Sequence, residues 1–162
     1  MTDQLIGTLF HIGYVVPELD LALAHFQNKI GALPFKLIGE RISENGWFRG
    51  SVVQFKYRIA VGFVGDMQFE IIEPIEGVST FAEYLERLPQ GGVHHLGYAV
   101  EDYESSLGRM ALRGYQQVQR GTAGNTRMSY YESSTDSGTI TEIVWLDEKA
   151  KTMFQNIKSG TF

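Results

Sequence analysis

Four side chains stand where their chemistry has to be accounted for. His11 opens the stretch HIGYVV (11–16), and His95 opens HLGYAV (95–100), 84 residues later. Glu70 lies within MQFEIIEP and Glu142 within TITEIVWL, each a carboxylate set among the β-branched and aromatic residues of a strand. A carboxylate buried in such a strand is costly unless it is paired, protonated or coordinated. Two imidazoles and two carboxylates form a mixed nitrogen–oxygen set suited to a single divalent metal ion such as Zn, Ni, Co, Mn or Fe. Four protein ligands in an octahedral site leave two neighbouring positions for a small-molecule substrate with two adjacent oxygens. A metal there would stabilise the enolate that forms when a proton is removed next to a carbonyl. A ligand carboxylate that loosens from the metal, Glu142 or Glu70, could act as the base.

The alternation of strand side chains makes a further distinction. In GGVHHLGYAVED (91–102) two histidines are adjacent, and neighbours on a regular strand point to opposite faces. His95 occupies the repeat position of His11, so His95 is the candidate ligand and His94 is expected to pack on the opposite face. His11 shares its face with Gly13 and Val15, His95 with Gly97 and Ala99. The glycine two residues on leaves space beside each ring. A lone histidine of this kind reads as a half-buried strand residue, and a lone glutamate as a solvent-facing one. Their recurrence in two copies favours a site. Glu73, before Pro74, reads as a strand-end surface residue, and His25 as a packing or solvent-facing helix residue.

The elements that must position these groups also repeat. Leu19, Leu23 and Phe26 follow the first histidine stretch, and Tyr103, Leu107 and Met110 follow the second. Both triplets run i, i+4, i+7, an apolar helix stripe. The helices end at Gly31 and Gly114. Strands are expected at 35–42, 51–58, 59–65 and 67–73 in the first copy and at 115–120, 126–132 and 139–146 in the second. A helix is expected over 79–88, with Thr80 and Glu83 as a capping-box pair, and another over 147–157. A repeat of this size implies two fused copies of one unit. The expected fold class is α+β: a first βαβββ module over 1–75, a connector helix over 76–92, a second βαβββ module over 93–146 and a C-terminal helix and tail over 147–162, all in one structural domain.

Bulk properties exclude several alternatives. The net charge of −5 argues against nucleic acid as a partner. The absence of cysteine removes disulfides, thiolate metal sites and thiol nucleophiles, and fits a cytoplasmic address. No stretch approaches the roughly 18 apolar residues of a membrane helix, and the N-terminal MTDQLIGTLFHIG has neither the basic start nor the apolar run of an export signal.

Taken together, these residues resemble the vicinal oxygen chelate superfamily, which includes glyoxalase I, methylmalonyl-CoA epimerase, extradiol dioxygenases and bleomycin-resistance proteins. The resemblance covers about residues 8–146. FEIIEPIEG followed by FAEYLE and GGVHHLGYAVED, and the ending STDSGTITEIV, are similar to the methylmalonyl-CoA epimerase branch. It implies paired βαβββ modules curled into a mixed sheet around a cleft. It also implies a metal held by His11, Glu70, His95 and Glu142, and a metal-dependent isomerase or lyase acting next to a carbonyl or thioester. By analogy with relatives it implies a homodimer. The set departs from the epimerase pattern in carrying Glu70 where glutamine is common, and in offering only Gln54 near the position of a second carboxylate base. Lys36, Arg41, Arg49, Lys56 and Arg58 form no phosphate-binding cluster. Two other activities fit the superfamily: an extradiol-type dioxygenase, which would use iron(II) on two histidines and one carboxylate, and a drug- or metabolite-binding protein.

Overall fold

The computed structural model describes residues 6–31, 35–135 and 138–162. The first five residues of the expected first module, and residues 136–137 of STDSG, lie outside these. The described chain forms ten strands and four α-helices: β1 (Thr8–Val15), α1 (Leu19–His25), β2 (Lys36–Ile42), β3 (Glu44–Phe48), β4 (Ser51–Val52), β5 (Lys56–Val64), β6 (Met67–Glu76), α2 (Thr80–Arg87), β7 (Gly92–Ala99), α3 (Tyr103–Leu112), β8 (Gln116–Ala123), β9 (Thr126–Glu132), β10 (Ile140–Trp145) and α4 (Glu148–Ser159). A π-helical turn, Phe26–Ile30, extends α1 and stops at Gly31 in the left-handed conformation.

All ten strands belong to one mixed sheet, ordered β2-β5-β6-β1-β7-β10-β9-β8-β3-β4. The halves β2-β5-β6-β1 and β8-β9-β10-β7 mirror each other about the antiparallel β1–β7 pair. In each half the first strand runs parallel to the last strand of its own module, β1 with β6 and β7 with β10. This is the paired βαβββ architecture, with one addition. The segment 44–52, expected to contribute only the start of a strand at 51, forms a β3–β4 hairpin that joins the edge of the second module beside β8. The strand expected over 51–58 is therefore broken at 53–55, and 56–64 is one continuous β5. Only Ser43 separates β2, at one end of the strand order, from β3 near the other. One residue spans about 3.8 Å, so the sheet must curl until its two edges nearly meet. Ser43 N donates to the Phe55 carbonyl (2.9 Å) and Val53 N to the Gly46 carbonyl (3.0 Å), tying the two crossings together. Arg49 pins the hairpin turn to Glu83 of α2 and Glu132 of β9.

The two faces of the curl bury different things. On the convex face, α1 and its π-helical extension pack Leu19 and Phe26 against Ala60 and Ile71, and α3 packs Tyr103 and Met110 against Tyr131 and Ile143. Glu73 is not a bare surface residue. Its carboxylate accepts from Leu19 N (2.8 Å) at the start of α1 and from Arg58 (3.1 Å). On the concave face, α2 closes one end of the trough through Phe81, which meets Tyr57 and Tyr130. The other end is closed by α4, with Ile157 against Val61 and Phe63 and Phe154 against Phe10. The cap of α2 is Ser79, whose hydroxyl accepts from Ala82 N, and not the expected Thr80–Glu83 pair. Thr80 is the first helical residue, and both its amide and its hydroxyl donate to Gln119 Oε1 of β8.

Candidate metal centre

The trough between α2 and α4 holds the four residues singled out in the sequence. His11 comes from β1, Glu70 from β6, His95 from β7 and Glu142 from β10, four consecutive strands of the sheet. One ligand atom from each lies within 4.8 Å of all the others, a convergence across both modules. His11 Nε2 is 3.1 Å from His95 Nε2 and 2.6 Å from Glu142 Oε2. His95 Nε2 lies 3.3 Å from the same oxygen, and Glu70 Oε2 lies 3.6 Å from His11 and 3.8 Å from His95.

Three features of the backbone aim these groups. Val61, Ile59 and Phe63 stand opposite Glu70, Ile72 and Gln68, so Glu70 shares the concave face with an apolar wall. The glycines serve across the strand pair rather than along it. His11 is paired with Gly97 and His95 with Gly13. A Cβ on Gly97 would lie 2.2 Å from the His11 ring, and one on Gly13 would lie 1.9 Å from the His95 ring. Each glycine thus makes room for the histidine of the other module. The third feature is a pair of bulges. The β1–β7 register slips once past Leu9 and once past Gly13, leaving Phe10 and His94 as the extra residues. Each bulge comes immediately before a candidate ligand, and a bulge re-aims the side chains around it.

The second bulge overturns the expectation for His94. It does not point away from His95. Both rings are buried on the same side, 5.1 Å apart and nearly perpendicular, with Nδ1 2.9 Å from Nδ1. Strict two-residue alternation fails where one strand carries an unpaired residue, and the sequence has no mark of that. His25 is exposed on α1, and Gln54 is exposed as well. The sequence reading also passed over buried polar residues near the site: Gln68, whose amide donates to Glu70, and Tyr57, on the same wall as Ile59 and Val61. Tyr130, directly opposite Glu142 on β9, packs its ring edge-on against His95.

The electrostatics are those of a tightly coupled acid–base cluster. Burial alone would raise the Glu142 carboxyl. The His11 and His95 rings outweigh it and hold Glu142 well below the usual carboxylate range. Burial alone would lower His95, yet its contacts with Glu142 and Glu70 raise it to about 9. Burial pushes His94 well below its ordinary value, reinforced by the charge on His95. Burial, with the nearby Glu70 and Glu142 charges added to it, raises both Tyr57 and Tyr130, so both phenols keep their protons near neutrality.

The donor set fits a divalent cation. Two facing Nε2 atoms at 3.1 Å can share only one proton, and Glu142 Oε2 has no well-directed hydrogen bond although it is buried. A cation at the point of convergence would satisfy these atoms together, and imidazole with carboxylate suits Zn, Ni, Co, Mn or Fe.

A curled sheet of paired βαβββ modules with a His/Glu/His/Glu cluster in its trough defines a class, and the comparisons agree with it. The chain belongs to the glyoxalase/bleomycin resistance protein/dioxygenase superfamily, whose sequence profile matches residues 10–131. It is 30% identical over 112 residues to the ethylmalonyl-CoA/methylmalonyl-CoA epimerase of Cereibacter sphaeroides, covering 68% of this chain and 73% of that one. It is 27% identical over 104 residues to the human mitochondrial methylmalonyl-CoA epimerase, covering 63% of this chain and only 51% of the human one. Among solved structures, the methylmalonyl-CoA epimerase from Mycobacterium tuberculosis shares the fold with a TM-score of 0.66 at 23% identity, covering 94% of this chain and 96% of that one. Among the described residues, no helix is long and apolar enough to cross a membrane.

Proposed function

We propose that this protein is a metal-dependent isomerase that removes a proton next to a carbonyl or thioester, with His11, Glu70, His95 and Glu142 as the ligands of one divalent cation. The observation that carries the reading is the convergence of these four side chains, two from each module, in one trough. The epimerase names of the relatives support an acyl thioester as substrate. When bound, the cation supplies positive charge against the negative charge that develops as the proton leaves. The facial triad of a dioxygenase needs only one carboxylate, so a second converging carboxylate favours the isomerase.

The chain's own residues divide the remaining work. Glu142 is sealed between two imidazoles at 2% side-chain exposure, whereas Glu70 reaches the opening at 12%. One of these two carboxylates takes the proton. Gln54, the residue nearest the position of a second base, is exposed and carries no carboxylate, which supports one-base chemistry. Tyr57 and Tyr130, protonated and facing the carboxylates, are hydrogen-bond donors that orient a substrate oxygen. The α2 and α4 helices exclude water from the ends of the trough. Arg49, Lys56 and Arg58, three of the five cations considered for a coenzyme A phosphate, are each already paired with carboxylates.

The test is exchange of the α-hydrogen of methylmalonyl-CoA, and of a panel of other acyl-CoA thioesters and hemithioacetals, in deuterated water, followed by proton NMR. Exchange that needs added divalent metal and disappears in His11→Ala supports the proposal. Glu70→Gln identifies the base: activity retained assigns it to Glu142, and activity lost with metal still bound assigns it to Glu70. Absence of exchange with every substrate and metal, alongside tight binding of an unchanged ligand, would overturn the proposal in favour of a binding protein.

A further inference from the structure

Behind the His95 ring lies a chain of two more groups. His94 is buried on the β7 bulge, between the rings of Phe81 (5.3 Å), Tyr84 (5.3 Å) and Tyr130 (6.5 Å). Its Nδ1 lies 2.9 Å from His95 Nδ1, and its Nε2 lies 3.3 Å from the Thr80 carbonyl oxygen. Thr80 is itself fixed, because its amide and hydroxyl both donate to Gln119.

The end of this chain dictates where its protons sit. A carbonyl oxygen can only accept, so His94 carries its proton on Nε2 and offers a lone pair at Nδ1. The 2.9 Å contact then requires His95 to donate from its own Nδ1. In the neutral imidazole that a metal would require, the one ring proton is then on Nδ1, and the lone pair of His95 is left on Nε2. That is the atom 3.1 Å from His11 Nε2 and 3.3 Å from Glu142 Oε2, inside the candidate donor set.

We infer that His94 is a positioning residue for the metal centre: through the relay His95 Nδ1–H to His94 Nδ1 and His94 Nε2–H to Thr80 O, it fixes the tautomer and ring orientation that present His95 Nε2 to a divalent cation. The inference rests on the metal reading above. Outer-shell partners of a ligating histidine usually act in this way, and their loss weakens metal binding about 10- to 100-fold. Here the partner is a second histidine, placed by a bulge, where a carboxylate or backbone carbonyl is more usual.

The experiment compares wild type, His94→Phe and His94→Asn for Zn²⁺ and Co²⁺ affinity, by competition with a chromophoric chelator, with circular dichroism of each variant as the folding control. Phenylalanine stands at the equivalent bulge of the first module, and asparagine keeps an acceptor close to the position of Nδ1. The relay predicts affinity about 10- to 100-fold weaker in His94→Phe and recovered to within about tenfold of wild type in His94→Asn. Long-range proton–nitrogen NMR of the Zn²⁺-loaded wild type should show His95 protonated on Nδ1 and His94 on Nε2. This reading decides the question even if His94→Phe does not fold. Unchanged affinity in His94→Phe, an Asn variant no better than the Phe variant, or a His95 proton on Nε2 would each overturn the relay. A wild type that binds neither ion would overturn the metal reading itself and the relay with it. That outcome is distinct from one in which wild type and His94→Phe bind equally.

Discussion

His11 and His95 enter the trough from strands related by the repeat, each just past a bulged residue and each facing a glycine of the other module. The bulged residue is Phe10 in one half and His94 in the other. Behind His11 the support is apolar: the Phe10 ring lies 5.4 Å away, and Phe154 of α4 backs it at 5.6 Å. His11 Nδ1 is buried with no hydrogen-bond partner among the described residues. Behind His95 the support is polar and ends on the backbone of α2. The two modules therefore share the geometry that aims a ligand, bulge and facing glycine, and differ in what holds it. His11 is clamped by shape, and His95 is held by hydrogen bonds that also choose its tautomer.

The largest effects should be symmetric across this comparison. His11→Ala and His95→Ala each remove one of the four proposed ligands, and metal affinity should fall on the order of a thousandfold in either, a fair share of the roughly 10–16 kcal/mol of a four-ligand zinc site. Competition titration measures this, and a loss confined to one histidine would break the equivalence of the halves.

The glycines should show the asymmetry. Gly13→Ala and Gly97→Ala both overpack the trough, at a cost of about 1–3 kcal/mol, or roughly 2–12 °C in melting temperature. Gly13→Ala drives the His95 ring off its bond to His94, so it should cost more stability and more metal affinity than Gly97→Ala, which meets only the clamped His11 ring. Thermal melts of the two variants side by side would show equal losses if the relay contributes nothing.

A pH series sharpens the contrast on the His95 side. In the metal-free chain, Glu142 and Glu70 raise His95 to about 9 against its burial, above the roughly 6.5 of an unfolded chain. A raised folded value stabilises the fold fully below about pH 6.5, and that stability is lost as pH rises through about 9. The metal-free melting temperature should fall over this window. Metal binding must displace the His95 proton, so affinity should rise about tenfold per pH unit over the same range. Flat profiles in both measurements would show that His95 does not titrate there.

The smallest effect is expected at the other bulge. Phe10→Leu keeps an apolar clamp and removes no hydrogen bond, so metal affinity should stay within about threefold of wild type. A drop as large as that expected for His94→Phe would mean that packing alone holds both rings.

Much of this site was legible in the sequence, because the repeat of HIGYVV in HLGYAV marks equivalent strands and places two histidines at one structural position. Glu70 and Glu142 stood out because a mid-strand carboxylate among apolar neighbours is costly. What could not be read depends on long-range pairing. The bulges at Phe10 and His94 arise only when β1 and β7 are laid side by side, so alternation misplaced His94. The β3–β4 hairpin gains its pairing from β8, some 70 residues further along the chain, and its own short segment carries little strand signal. Thr80 looked like a cap because its spacing to Glu83 suits one, yet Gln119 claims its donors and Arg49 claims Glu83. Glu73 looked like a surface residue because its two partners, Leu19 N and Arg58, reach it only through the fold.

If the two modules jointly hold one metal ion, neither can hold it alone. Elemental analysis of protein purified without chelator or histidine tag, for wild type, His11→Ala and His95→Ala, tests this most directly. About one divalent metal per wild-type chain is expected, lost on replacing a histidine from either module. A wild type that takes up none of Zn, Ni, Co, Mn or Fe, or metal that survives both replacements, would contradict it.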